Sequence, residues 1–268
     1  GYGFFEQALV MEEFWRVDPG CGNILLTVFG SELIQIYGTE EQKKKYLPPL
    51  TKGEAIMGAA ITEPDAGSDV MAVQTTAKGD GNDYVINGAK QFITNGSIAN
   101  YLAVFCLTNP EAESRLKRFS KIIVETDRPG FEASKITGKM GIRASDTAEI
   151  SFKDVRVPRE NLIGREEGQG FLQIMHLFNI NRLVAAAQGV GVAQGALEKA
   201  VKHVKQRKQF GRPIGAFQAI QFKIAEMAIL VEAARALLYK AAWMIDHGNT
   251  DPKLIAIAKC LGGEAGIK

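Results

Sequence analysis

The chain has 268 residues, 46% of them hydrophobic and 23% charged, enough apolar material for one large or two smaller packed domains. Its 32 basic and 30 acidic residues leave a net charge of +2, so no long-range field favours nucleic acid or an anionic membrane. No apolar run approaches the roughly 20 residues that a membrane span requires.

Apolar residues recur at helical spacing over residues 4–17 and 23–37. Thr39 with Gln42 forms a capping box that predicts a third helix, and Pro48-Pro49 is expected to end it. Over about 56–157 the signals become those of strands: Ala148, Ile150 and Phe152 alternate with Glu149, Ser151 and Lys153, which turns one face inward. Asp80-Gly81-Asn82-Asp83 supplies a hairpin turn and Asp127-Arg128-Pro129-Gly130 a tight turn, while 110–117 reads as a mobile polar loop. The basic cluster Arg115, Lys117, Arg118 and Lys121 reads as solvating that loop. Helix returns after Gly170, with an Ala- and Gly-rich middle suited to close packing. Ile220, Ile224, Met227, Val231, Leu238 and Ile245 then form a bundle seam. His247-Gly248 stops this helix, and Asp251-Pro252 opens another with a cap and a first-turn proline.

Cys21, Cys106 and Cys260 are far apart, with no Cys-x-x-Cys pair and no His at ligand spacing, which predicts buried thiols in a reducing compartment and no metal site. Gly189-Val190-Gly191-Val192-Ala193-Gln194-Gly195 superficially matches a dinucleotide fingerprint. It lies inside a helix and has one residue too many, so it reads as a packing stripe. His176, His203 and His247 are scattered and read as structural or exposed.

Two segments hold the candidate chemistry. In Ile61-Thr62-Glu63-Pro64-Asp65-Ala66-Gly67-Ser68-Asp69, proline and glycine make a rigid turn whose amides and two hydroxyls can converge on phosphate or carbonyl oxygens, although a plain capped turn fits equally. In Asn87-Gly88-Ala89-Lys90-Gln91-Phe92-Ile93-Thr94-Asn95-Gly96, Phe92 offers a ring and Thr94 a hydroxyl to an aromatic cofactor, against the alternative of a core phenylalanine. In fixed order follow Met140-Gly141-Ile142-Arg143-Ala144-Ser145-Asp146-Thr147, Asp154-Val155-Arg156-Val157-Pro158, Asn181-Arg182, Arg207-Lys208-Gln209-Phe210-Gly211 and Gln218. Together these resemble the flavin-binding and substrate segments of the acyl-CoA dehydrogenase family over the whole chain.

The resemblance implies an α+β fold: 1–54 would be the end of an N-terminal helical domain, 55–165 a middle antiparallel β domain, and 166–268 the first part of a C-terminal four-helix bundle. The chain begins without Met and ends inside a helix, so it is expected to be part of a longer protein. By resemblance the cofactor is FAD, contacted by Ile61, Thr62, Gly67, Ser68, Phe92, Ile93 and Thr94, with Thr62 and Thr94 bonding the flavin ring. Phe92 stands where most members have tryptophan, which keeps the aromatic wall but loses an indole donor. Arg207, Phe210 and Gln218 match residues that reach the FAD of a neighbouring subunit, which implies a homo-oligomer, dimer or tetramer. Ser68, Asn179, Asn181 and Arg182 would line the acyl-CoA pocket.

The implied reaction is α,β-dehydrogenation of an acyl-CoA thioester, with electrons passed to an electron-transfer flavoprotein, in a bacterial or archaeal cytoplasm or a mitochondrial matrix. It needs a carboxylate base whose pKa burial has raised. Some relatives carry a glutamate immediately before the helix arginine, but Asn181 occupies that place here, so the base is expected beyond Lys268. The alternatives are a flavin oxidase or monooxygenase on the same fold, or a non-catalytic scaffold. Peroxide production in air would mark the first, and a missing carboxylate base the second.

Overall fold

The structure, a computed structural model, describes residues 3–268. In chain order the elements begin with helices α1 (Phe4–Val17) and α2 (Pro19–Gly22), a 3-10 turn (Asn23–Thr27), and helices α3 (Val28–Tyr37) and α4 (Glu40–Thr51). Strands β1 (Met57–Ala60), β2 (Thr76–Asp80), β3 (Asp83–Thr94), β4 (Tyr101–Leu107), β5 (Phe119–Glu125), β6 (Phe131–Lys135) and β7 (Thr147–Pro158) follow. Helix α5 (Gly170–Gln206), the two-residue strands β8 (Lys208–Gln209) and β9 (Arg212–Pro213), and helices α6 (Gln218–Asp246) and α7 (Pro252–Ile267) complete the described chain. Contacts divide it into two compact units, one of residues 23–177 and one of residues 1–22 with 178–268. Among the described residues no helix is long and apolar enough to cross a membrane.

The first unit is built on the seven strands β1–β7. The β2–β3, β3–β7, β6–β7 and β4–β5 pairs are antiparallel, as expected, while β1 and the first residue of β2 join β4 in parallel. Ala148, Ile150 and Phe152 point into a core with Ile86, Ile93, Leu102, Val104 and Ile122. A second core joins Ala103, Ile123 and Met57 to Leu33 and Ile34 of α3, Tyr46 of α4 and Leu177 of α5. Helix α4 is locked down by a buried polar knot: the Tyr46 hydroxyl donates to Glu125 at 2.7 Å and to Asn161 Oδ1 at 3.1 Å, and Arg128 Nε donates to Glu125 at 2.6 Å.

In the second unit, glycines let helices approach closely. A Cβ on Gly191 would stand 2.4 Å from Glu12 O, one on Gly195 2.3 Å from Arg16 O, and one on Gly189 2.3 Å from Gly262 O of α7. The Gly189–Gly195 run is thus a packing stripe, as its helical context predicts. Glu12 of α1, only 4% exposed, accepts from Arg235 Nε (2.8 Å) and from the Tyr239 hydroxyl (2.9 Å) of α6. Asp246 at the end of α6 accepts the Phe4 and Phe5 amides and caps α1.

Several expectations are corrected. Pro48 and Pro49 do not end α4, which runs on to Thr51; the prolines supply no donor to the carbonyls one turn earlier, at Lys44 and Lys45, and water reaches both of those exposed residues. Residues 23–37 split into the 3-10 turn and α3. Cys106 is buried, but Cys21 and Cys260 are exposed. Lys121 solvates nothing: six consecutive residues of β5 are buried, and this lysine is 1% exposed.

Candidate functional site

The Ile61–Asp69 candidate loop leaves the C-terminal end of β1, and its shape is set by one buried ion pair. Lys90 Nζ lies 2.8 Å from Glu63 Oε1, and the two side chains are 0% and 6% exposed. Nζ also donates to Ile61 O at 2.9 Å, and the Glu63 carboxylate accepts the amides of Gln74 (2.6 Å) and Thr75 (3.0 Å). Burial pushes the Glu63 carboxyl up, but the Lys90 ammonium and those donors outweigh it and hold it below the usual carboxylate range. The loop closes on itself where Glu63 and Ala66 exchange backbone hydrogen bonds, and Gln91 N ties Thr62 O to β3 at 2.8 Å. Gly67 and Ser68 are left exposed at its turn, and a Cβ on Gly67 would meet nothing within 4 Å.

Phe92 is the second point. Between the pairs Lys90↔Ile150 and Ile93↔Ala148, two residues of β3 face one of β7, which is a β-bulge. Phe92 takes φ +59 there, a conformation bulky side chains rarely adopt, and its ring is 62% exposed. It is therefore not a core phenylalanine. Without the bulge, period-two alternation would put Phe92 on the inward side of the strand with Lys90; the extra residue turns Ile93 inward instead. The hydroxyls of Thr62, Ser68 and Thr94 have no hydrogen-bond partner among the described residues. Free hydroxyls, an exposed ring on a strained bulge and an open glycine turn in one unit fit a flat, phosphate-bearing cofactor.

The other predicted residues lie in the second unit. On α5, Arg182 Nη1 donates to Asn179 Oδ1 at 2.5 Å, which holds the guanidinium on the helix surface, and Asn181 Oδ1 is buried without a partner among the described residues. Beyond α5, β8 and β9 form a two-residue hairpin whose turn residues Phe210 and Gly211 have φ +52 and +77, a type I′ geometry. The hairpin lifts the Phe210 ring to 92% exposure, braced edge-on by Phe217 at 6.0 Å. Arg207 stands at its base with no side-chain partner among the described residues, and Gln218 is the first residue of α6.

Sequence reasoning missed the Glu63–Lys90 strap, although one signal was present: a lysine in the inward phase of β3, after Tyr84 and Ile86, implies a buried partner. Among the described residues no group of three or more His, Cys, Asp or Glu is placed to hold a metal ion.

Family models match along the chain: the acyl-CoA dehydrogenase N-terminal domain at 1–54, the middle domain at 58–155 and the C-terminal domain at 168–268. The acryloyl-CoA reductase (NADH) of Anaerotignum propionicum is 44% identical, over 98% of this chain and 67% of the relative. A chain in the structure of the electron transferring flavoprotein of Acidaminococcus fermentans, described in terms of flavin-based electron bifurcation, superposes with a TM-score of 0.95 at 43% identity, over 99% of this chain and 70% of that one. The butyryl-CoA dehydrogenase of Megasphaera elsdenii superposes with a TM-score of 0.94 at 39% identity, over 99% and 69%. The chain spans about two thirds of the length of these relatives.

Proposed function

The chain belongs to the acyl-CoA dehydrogenase family and is an oxidoreductase acting on acyl-CoA, and on that premise we propose that it desaturates the α,β bond of a coenzyme A thioester with FAD and passes the electrons to an electron-transfer flavoprotein. The observation that carries this reading is the pairing of unpartnered Thr62, Ser68 and Thr94 hydroxyls with the exposed, strained Phe92. Bound FAD would supply the acceptor for the β-hydride. Thr62 and Thr94 would hydrogen-bond the ring edge, with Ile61 and Ile93 beside them. Phe92 would cover one ring face, and Gly67 and Ser68 would give the phosphate and thioester arms room. Arg182, held by Asn179, would orient the thioester end of the substrate. Asn181 carries an amide, so the α-proton goes to a base other than this residue.

Arg207, Phe210 and Gln218 are proposed to reach the FAD of a neighbouring subunit, completing its site in a homo-oligomer. A ring 92% exposed at positive φ, packed only edge-on against Phe217 among the described residues, suits such insertion. The relatives named here are bacterial, which supports a cytoplasmic setting. A second reading, reduction of an enoyl-CoA on the same site, is favoured by the relative named as an acryloyl-CoA reductase. The purified full-length protein should be yellow, and its flavin band should bleach anaerobically with butyryl-CoA. Bleaching only by a reductant, followed by reoxidation with acryloyl-CoA, would select the second reading; a flavin-free protein that cannot be reconstituted would defeat both. Arg207→Ala should lower flavin content and oligomer size together.

A further inference from the structure

Four backbone points on two segments, residues 61–62 and 74–75, are tied to Lys90 and its neighbours. Nζ holds Ile61 O at 2.9 Å, Glu63 carries the pull on to the Gln74 and Thr75 amides, and the next residue, Gln91, holds Thr62 O. The residue after that is Phe92, at φ +59. We propose that Lys90, through Glu63, is a positioning residue for the cofactor site, fixing the Thr62 loop against the Phe92 bulge so that hydroxyl and ring are presented in one geometry. This rests on the flavin reading of that loop.

Stability gives no reason to have charges here, because a buried ion pair replaced by well-packed apolar residues is often neutral or stabilising. An apolar pair, however, cannot hold a carbonyl and two amides in register. A bulky residue at positive φ also persists only where its surroundings hold it. Lys90 sits two residues before that conformation, on the same strand, with its side chain fully enclosed.

The prediction separates positioning from packing. In the full-length holoenzyme, Lys90→Met alone leaves the Glu63 carboxylate buried without its cation, and should lose both urea resistance and flavin. The double variant Glu63→Leu/Lys90→Met should regain a urea midpoint near that of the wild type. It should still bind FAD at least tenfold more weakly, show a shifted flavin absorption band, and exchange the Gln74 and Thr75 amide protons at least tenfold faster. Glu63→Gln/Lys90→Met, which keeps an acceptor for one of those amides, should lie between the two. A Leu/Met variant with wild-type FAD affinity, absorption band and amide exchange would overturn the proposal, as would a Gln/Met variant no better than the Leu/Met one. If the wild type itself takes up no FAD, the flavin reading fails; amide exchange needs no cofactor and still decides whether Lys90 orders the loop.

Discussion

Lys121 sits in a closed interior with no carboxylate partner among the described residues. Among the described residues its Nζ donates only to Ala103 O, at 3.3 Å, and burial, reinforced by repulsion from Lys90, pulls its pKa from 10.5 to about 7. Each pKa unit corresponds to about 1.4 kcal/mol. The drop from 10.5 to about 7 therefore corresponds to a penalty on the order of 4 kcal/mol at neutral pH, an upper figure, since relaxation and water entry recover part of it. The sign follows from proton counting. Between about pH 7 and 10.5 the unfolded chain holds a proton that the folded chain has released, so stability rises with pH across that window and the penalty is fully present below it. Lys121→Met keeps the length of the side chain and removes the charge. It should stabilise the protein by about 2–4 kcal/mol at pH 7, and the gain should shrink toward zero near pH 10. Urea unfolding followed by circular dichroism at pH 7, 8, 9 and 10, taken as the difference between variant and wild type, cancels the other titrating groups. A variant less stable than the wild type at pH 7, or a difference that stays constant with pH, would refute the reasoning.

The opposite sign holds for Glu125. Burial raises its carboxyl, but Arg128 and the Tyr46 hydroxyl outweigh this and bring it from 4.5 to about 2, so its stabilisation is present above pH 4.5 and is lost as pH falls toward 2. Glu125→Gln should cost about 2–3 kcal/mol at pH 7 and almost nothing at pH 2, read as a flatter acid-unfolding curve. Arg235→Met strands the buried Glu12 and should cost about 3 kcal/mol in urea unfolding, whereas a loss under 1 kcal/mol would show that water reaches Glu12. Gly191→Ala, with its Cβ 2.4 Å from Glu12 O, should cost about 1–3 kcal/mol, while Gly263→Ala, with nothing within 4 Å, should gain up to about 1 kcal/mol. Thermal melts of the two alanine variants should therefore move in opposite directions.

Much of this fold was legible because its signals are local. Thr39 with Gln42 and Asp251 before Pro252 make the caps their side chains predict, and Asp80 pairs with Asp83 across its turn. The candidate loop and strand were legible as residue types in order. Their arrangement was not. Strict alternation groups Lys90, Phe92 and Thr94 on one face, and only the pairing of β3 with β7 introduces the bulge that parts Phe92 from Lys90. Lys121 was misread for a related reason: three basic neighbours suggest a solvated run, but a strand covered on both faces draws its lysine inside.

Residue spacing along the chain was sufficient for the order of elements, the helix caps, the packing glycines and the membership of the family, because each depends on neighbours a few residues away or on motifs in sequence. Partnership across the fold depended on tertiary structure. Glu63 lies 27 residues from Lys90, and Glu12 lies 223 from Arg235. A charge can be buried only when such a distant partner arrives to replace the water it leaves, and the close approach of two segments is a property of the folded backbone.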